Sequence, residues 1–195
     1  MKIPLTYYRT DDVTGIAKDL IGKYLFSNID NKICGGIITE TEAYAGITDK
    51  ASHAYGNRRT ARTEVMFGMG GMSYVYFTYG MHHLFNIVTS VEGNPHAVLI
   101  RAIYPTHGLE TIVQRRKNIN DKKKLCDGPA KLCMALGITL KENNIPLDGN
   151  RIWLEDRGIK INDSDITATK RVGVDYAGDD ALLPYRFLFT GGIPL

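Results

Sequence analysis

The sequence predicts one α+β domain, and three observations carry that expectation. The chain has 195 residues, 44% of them apolar, enough to bury a sizeable single core with nothing that forces a second. Its first half, after one helical segment, alternates apolar and polar residues in runs of strand length. Its second half mixes further strands with two segments that start and stop as helices do. Lys and Arg number 24 against 21 Asp and Glu, a net charge of +3 that permits a polyanionic partner without demanding one. Cys34, Cys126 and Cys133 form no CxxC pair, and their odd number argues for a reducing compartment over a disulfide framework. Met1-Lys2-Ile3-Pro4 opens no apolar run of signal-peptide length and no segment reaches a membrane span, so a soluble, intracellular protein is expected.

In chain order, Asp11 or Asp12 can cap a helix in which Val13, Ile16, Ala17, Leu20 and Ile21 recur at helical spacing until Gly22. Lys23 to Ser27 reads as a strand, Asn28 to Asn31 as a turn, and Ile33 to Tyr44 as a second strand in which Gly35-Gly36 allows a bulge. Gly46 to Gly71 has no sustained period and reads as a long loop carrying His53, Arg58, Arg59 and Arg62. Ser73 to Thr78 and His82 to Thr89 pair as a hairpin turning at Tyr79-Gly80, and Glu92 to Pro95 makes another turn. His96 to Tyr104 is an apolar strand on whose inner face Arg101 aligns with Ala97, Leu99 and Ile103, so Arg101 requires a buried partner, for which Glu42 is the choice. Gly108 to Lys117 resembles a helix. The basic cluster of Arg115, Arg116, Lys117, Lys122, Lys123 and Lys124 is either a solvated face or a phosphate contact. Asp127 can cap, and Pro129 start, a helix that runs to Leu136 and stops at Gly137, and its first-turn amides could hold a phosphate. Ile138 to Asn150 reads as loop, Arg151 to Glu155 and Ile159 to Ile161 as strands, Arg171 to Val174 as a short strand or turn, and Tyr185 to Thr190 as the final strand.

Chemistry concentrates between Ile37 and Asn86. Side chains two apart share a face of a strand, so Glu40, Glu42 and Tyr44 project one way while Thr39, Thr41 and Ala43 project the other. Tyr74 and Tyr76 likewise share a face, and period two puts Tyr79 opposite Tyr76 at the hairpin tip. Taken singly these are ordinary strand residues with a solvated outer Glu. Together they offer a general base in Glu42, flat surfaces in Tyr44, His53 and Tyr76, and a donor and acceptor in Asn86, a set suited to a flat, electron-poor ligand.

Ordered blocks along most of the chain are similar to the alkyladenine, or 3-methyladenine, DNA glycosylase family of base-excision repair. They are ETEAY at Glu40 to Tyr44, the His53 segment, Met66-Phe67, YVYFTYGM at Tyr74 to Met81 with Asn86 downstream, LIRA at Leu99 to Ala102, GPAKLCMAL at Gly128 to Leu136, and RVGV at Arg171 to Val174. The resemblance implies a single mixed domain over residues 1–195, with a curved antiparallel sheet, surrounding helices and a protruding hairpin that enters the DNA minor groove. It makes Glu42 the base that activates water, with Arg101 and the Val172 carbonyl placing that water. Tyr44, His53 and Tyr76 would stack on or line the extruded base, Asn86 would exclude the exocyclic amino group of guanine, and Tyr79 would fill the gap left in the duplex. The His82-His83 step and the short ending after Phe189 depart from the family's pattern.

Such an enzyme acts on a base flipped out of double-stranded DNA, and damaged pairs flip at lower cost. An aromatic cage attracts an alkylated, cationic purine through its π faces. No Lys stands in ETEAY or YVYFTYGM to form a Schiff base, so a monofunctional hydrolase is expected, leaving an abasic site. No HExxH or CxxC motif accompanies the five histidines, so neither a metal nor another cofactor is expected. A bacterial, cytoplasmic monomer acting on lesion-bearing duplex DNA completes the expectation. Two other classes compete with it. In a non-catalytic damaged-DNA-binding module Glu42 is only an ion-pair partner, and in an RNA-binding domain the tyrosines are stacking platforms.

Overall fold

The computed structural model describes residues 1–117, 119 and 121–192, and the end of the chain past Gly192 lies outside them. Asp12 caps helix α1 (Val13–Asp19), its carboxylate accepting the Gly15 amide at 2.7 Å, and Val13, Ile16 and Ala17 are buried beneath it. Strands β1 (Tyr24–Ile29) and β2 (Lys32–Tyr44) follow as a hairpin. The sequence assigns Asn28 and Ile29 to its turn, whereas they pair with Ile33 and Lys32. Asp30 and Asn31, at φ of 55° and 57°, make the turn alone, a two-residue geometry whose twist matches that of the strands.

A second hairpin joins β3 (Ser73–Thr78) to β4 (His82–Thr89), and β5 (His96–His107) returns along the sheet. Three helices come next: α2 (Leu109–Arg115), α3 (Lys122–Leu125) and α4 (Pro129–Leu136). Strands β6 (Ile152–Glu155), β7 (Ile166–Thr169) and β8 (Arg186–Phe189) complete a strongly curled antiparallel sheet of eight strands in the order β3-β4-β5-β2-β1-β6, with β8 joining both β2 and β7. Among the described residues no helix is long and apolar enough to cross a membrane.

Strand β2 changes neighbour midway. Lys32 to Ile37 pair with β1 and Glu40 to Glu42 with β8, while β5 flanks the opposite edge from Gly35 to Tyr44. At the change of neighbour the register with β5 runs Ile38↔Ile103, Glu40↔Ala102, Thr41↔Ile100, so Thr39 and then Arg101 are left unopposed. Each is a bulge, which bends a strand and re-aims a side chain. A further shift falls at Gly35/Gly36, where β5 continues through Pro105 to His107 instead of ending at Tyr104. Proline is tolerated there because the ladder is already interrupted. Glycine is required at 36, since a Cβ would stand 2.1 Å from the Tyr104 carbonyl oxygen.

Alternation sorts the two faces of the sheet. Ala43, Val75, Phe85, Ile87, Val98 and Ile100 join the main core with residues of α1, α2 and α4, and the Thr41 hydroxyl donates to the Ala17 carbonyl at 2.8 Å. Neighbouring positions on the same strands, among them Tyr44, Tyr74, Tyr76, Asn86 and Leu99, open onto a cavity on the other face. The Arg101 bulge resets the period, so Ile103 joins Ile100 in the core and does not share a face with Arg101.

Several expectations from sequence change in the packed chain. Gly46 to Gly71 is not structureless, for it holds three short 3-10 turns and buries Ala51, Ala54, Val65, Met66 and Phe67. Arg115 and Arg116 are neither a solvated face nor a phosphate contact. Arg115 donates to the carbonyls of Ile29 and Ala135, and Arg116 to that of Leu125 at 2.9 Å. Asp127 does not cap α4; Gly128 occupies that position and Asp127 meets Lys131 at 2.8 Å. A 3-10 turn at Leu140–Glu142, closed by a capping box from Thr139, interrupts the loop expected from Ile138 to Asn150. Ile159 to Ile161 forms no strand, and β7 appears a few residues later, held by β8. Of the two readings of Arg171 to Val174, strand or turn, the turn holds, with Gly173 at φ 73°.

Candidate active site

Glu42 sits at the floor of the cavity face, near the end of β2, with no exposed area. Its Oε1 accepts the Val172 amide at 2.8 Å and faces Arg101 Nη1 at 3.4 Å, and its Oε2 accepts the Tyr44 hydroxyl at 2.8 Å. The sequence pairs Arg101 with Glu42, but the closer partner is Glu40. Arg101 Nε donates to Glu40 Oε1 at 2.7 Å, and Arg186 Nε donates to the same oxygen at 2.6 Å. The bulge explains the change, because it turns Arg101 toward both carboxylates. Glu42 is therefore only partly compensated. Burial pushes its carboxyl above the ordinary 4.5, and the opposing pull of Arg101, the Val172 amide and the Tyr44 hydroxyl does not cancel that rise.

A cavity of about 370 Å³ opens above this carboxylate. Tyr44, His53, Tyr76, Tyr79, Asn86, Arg101 and Val172 all line it, and Glu42 lies behind Tyr44, Arg101 and Val172. His53 enters from the loop after β2, meets the Tyr74 hydroxyl through Nδ1 at 2.8 Å, and stands edge-on to Tyr76 with ring centroids 4.7 Å apart. Burial, with Arg62 and Arg58 nearby, pushes its pKa down to about 4, so the ring is neutral at physiological pH. Asn86, opposite Tyr74 in the β3–β4 ladder, is fixed by donating its side-chain amide to the Tyr74 carbonyl at 3.1 Å.

The hairpin tip behaves differently from its strands. Thr78 pairs with His82, so the loop is Tyr79-Gly80-Met81, and Tyr79 at φ 51° has left the strand geometry. Alternation no longer applies to it. Tyr79 lines the same cavity as Tyr76, not the opposite face. It is 84% exposed, with Met81 at 68% and Phe77 at 44%, an apolar tip that nothing in the fold covers.

Three further residues belong to the site and were not assigned roles in it from the sequence. Glu40, two residues before Glu42 on the same face, could have been found by the period-two rule. Arg62 reaches the cavity from the long loop, where no period guides the eye. Arg171 is buried behind Tyr44, donates to Asp49, to the carbonyls of Ala43 and Asp180, and stands 4.9 Å from the Tyr44 ring. It thereby ties the turn that carries Val172 to the end of β2.

The raised Glu42 pKa has a consequence for pH. A general base works only when ionised, so the rate of any reaction it drives falls as pH drops through a pKa above 4.5. Stability moves the other way, because burial favours the protonated form: this group's contribution is present in acid and is lost as pH rises through the same pKa. A profile of kcat/KM against pH is expected to show an acid limb whose inflection lies above 4.5, and a flat profile down to that pH would exclude Glu42 as the base.

The comparisons with known proteins agree with one another. The family described as Methylpurine-DNA glycosylase matches residues 6–192. A protein of Chlamydia felis (strain Fe/C-56) named "Putative 3-methyladenine DNA glycosylase" is 46% identical over 189 residues, covering 96% of each chain. One of the same name from Bacillus thuringiensis (strain Al Hakam) is 44% identical over 199 residues, covering 98% of this chain and 97% of its own. With identity of this extent along nearly the whole length, the chain belongs to the methylpurine-DNA glycosylase family.

Proposed function

We propose that this protein is a monofunctional DNA glycosylase of base-excision repair that flips an alkylated or deaminated purine out of duplex DNA and hydrolyses its N-glycosidic bond. Water activated by Glu42 attacks the sugar carbon, the base departs, and an abasic site remains in an intact strand. Family membership and the names of the near-full-length relatives support the glycosylase. The observation that carries the mechanism is a fully buried carboxylate with raised basicity under an aromatic cavity. The Val172 amide and Arg101 face Oε1 while the Tyr44 hydroxyl is the one donor on Oε2, so Oε2 keeps a lone-pair direction for a water. Arg101, anchored on Glu40, supplies positive charge beside that water, and the Val172 carbonyl is a second acceptor for it. No cofactor takes part, and a cytoplasmic monomer suffices.

Tyr44, His53 and Tyr76 take the extruded base, and the neutral His53 ring does not repel a cationic purine. Asn86, already held by Tyr74, presents its remaining polar atoms to the base edge and discriminates against the guanine amino group. The test is release of free base from duplexes carrying hypoxanthine or an alkylated adenine, followed chromatographically against undamaged DNA. Tight binding to the lesion with no base released at any enzyme excess would leave a damage-binding module in its place.

Tyr79 fits a wedge that occupies the vacated stack. An aromatic so exposed contributes little to folding, whereas stacking on bases is worth roughly 1–3 kcal/mol. Tyr79→Ala is expected to leave the melting temperature nearly unchanged while reducing the flipped fraction, with ~10-fold lost for each 1.4 kcal/mol. Ethenoadenine fluorescence in duplex DNA reads the flipped fraction. A lower melting temperature with unchanged flipping would make Tyr79 a packing residue.

A further inference from the structure

Arg62 occupies the place where a ligand of the aromatic cavity belongs. Its guanidinium carbon lies 4.7 Å from the centroid of the Tyr76 ring, and Nη2 is 3.3 Å from His53 Nε2. A guanidinium is flat, delocalised and cationic, the same character that an alkylated purine presents to a π face. Among the described residues no carboxylate forms an ion pair with it, in contrast to Arg59 on the same loop, which holds Glu64 at 2.6 Å. Arg62 also lines a second cavity of about 420 Å³ that shares His53 and Tyr176 with the first and carries Lys50 and Arg58. One side chain thus stands on the wall between an aromatic pocket and a basic one.

We infer that Arg62 selects bases carried on DNA over free ones, its guanidinium holding the Tyr76 face of the base pocket and being exchanged for the flipped base when DNA binds. This rests on the glycosylase function proposed above. A phosphate of the lesion strand entering the basic cavity draws the guanidinium off Tyr76, and the base takes the vacated face. The cost of displacing Arg62 falls on every flat ligand alike, so the exchange discriminates by attachment to DNA and leaves any preference for a cationic purine to the Tyr76 ring. A base without an attached phosphate has nothing to draw Arg62 aside, so free bases and nucleosides compete poorly with DNA.

The experiment measures ligand binding without DNA, with the cationic nucleoside 7-methylguanosine and the neutral base hypoxanthine as probes, on the parent protein, Arg62→Met and Arg62→Gln. Both variants are expected to bind the free probes about tenfold more tightly, since a flat competitor has been removed from the Tyr76 face. They are also expected to bind lesion duplex less tightly, with a salt dependence reduced by about one phosphate contact. Arg62 is exposed, so both variants should fold, and an unchanged melting temperature verifies it. Free-probe affinity that is unchanged or weaker in both variants, while the parent protein releases base from lesion duplex, overturns the exchange and leaves the glycosylase standing. Failure of the parent protein to release base overturns both.

Discussion

Glu42→Gln is expected to lower single-turnover base release by ~10²–10⁴-fold while leaving binding to a lesion duplex intact, because glutamine keeps the size and one acceptor but cannot take a proton. The melting temperature should hold or rise. Burial already penalises the charged carboxylate at this position, and Arg101 retains Glu40 as its closer partner when Glu42 is neutralised. This combination separates a catalytic base from a structural ion pair, since loss of a structural pair would lower stability. The two readouts are base release under enzyme excess and a thermal melt of the same preparation. Near-parent release by Glu42→Gln would remove Glu42 from the reaction.

Arg101→Ala should injure both function and fold. Arg101 is the bulge residue that faces Glu40 at 2.7 Å and Glu42 at 3.4 Å, and its removal strips the buried Glu42 of that cation while Arg186 still holds Glu40. Breaking such a pair from one side costs on the order of 3–5 kcal/mol. In a domain of this size that corresponds to a fall in melting temperature of roughly 10 °C. Combining Arg101→Ala with Glu42→Gln should return part of the lost stability without returning activity, since the stranded charge is gone. An Arg101→Ala protein with parental melting temperature and parental excision would exclude Arg101 from both roles.

Much of this site was legible because period two is a strong rule within one strand. It put Glu40, Glu42 and Tyr44 on one face and Tyr74 with Tyr76 on another strand's matching face, and the cavity face of the sheet is built from those positions. The rule failed where the backbone stops being a regular strand. Period two aligns Ile103 with Arg101 because nothing in His96 to Tyr104 marks Arg101 as a bulge, which falls at the level where β2 exchanges β1 for β8. Period two sets Tyr79 opposite Tyr76 and fails for a similar reason, since its positive φ belongs to a three-residue loop and not to the strand.

Residues whose role depends on long-range packing were beyond local pattern. Arg115 and Arg116 look like part of a basic patch until the carbonyls of Ile29, Ala135 and Leu125 are brought to them. Arg171 and Asp49 are 122 positions apart, and no spacing rule connects them. Ordered motifs that resemble a family point to a glycosylase, whereas alternation yields strands and faces without naming the chemistry they serve.

In the proposed reaction, water held by Glu42 releases a damaged purine in this cavity and leaves the strand intact. Two parallel reactions of a hypoxanthine-containing duplex with excess enzyme decide it: one without borohydride, in which base and strand are analysed, and one with borohydride, in which covalent adducts are sought, since borohydride makes an abasic site resistant to alkali. Expected are free hypoxanthine and an unbroken strand, cut only by later alkali, in the reaction without borohydride, and no covalent adduct between protein and DNA in the reaction with it. A protein–DNA adduct trapped by borohydride, or a duplex bound tightly with its hypoxanthine still attached, would contradict it.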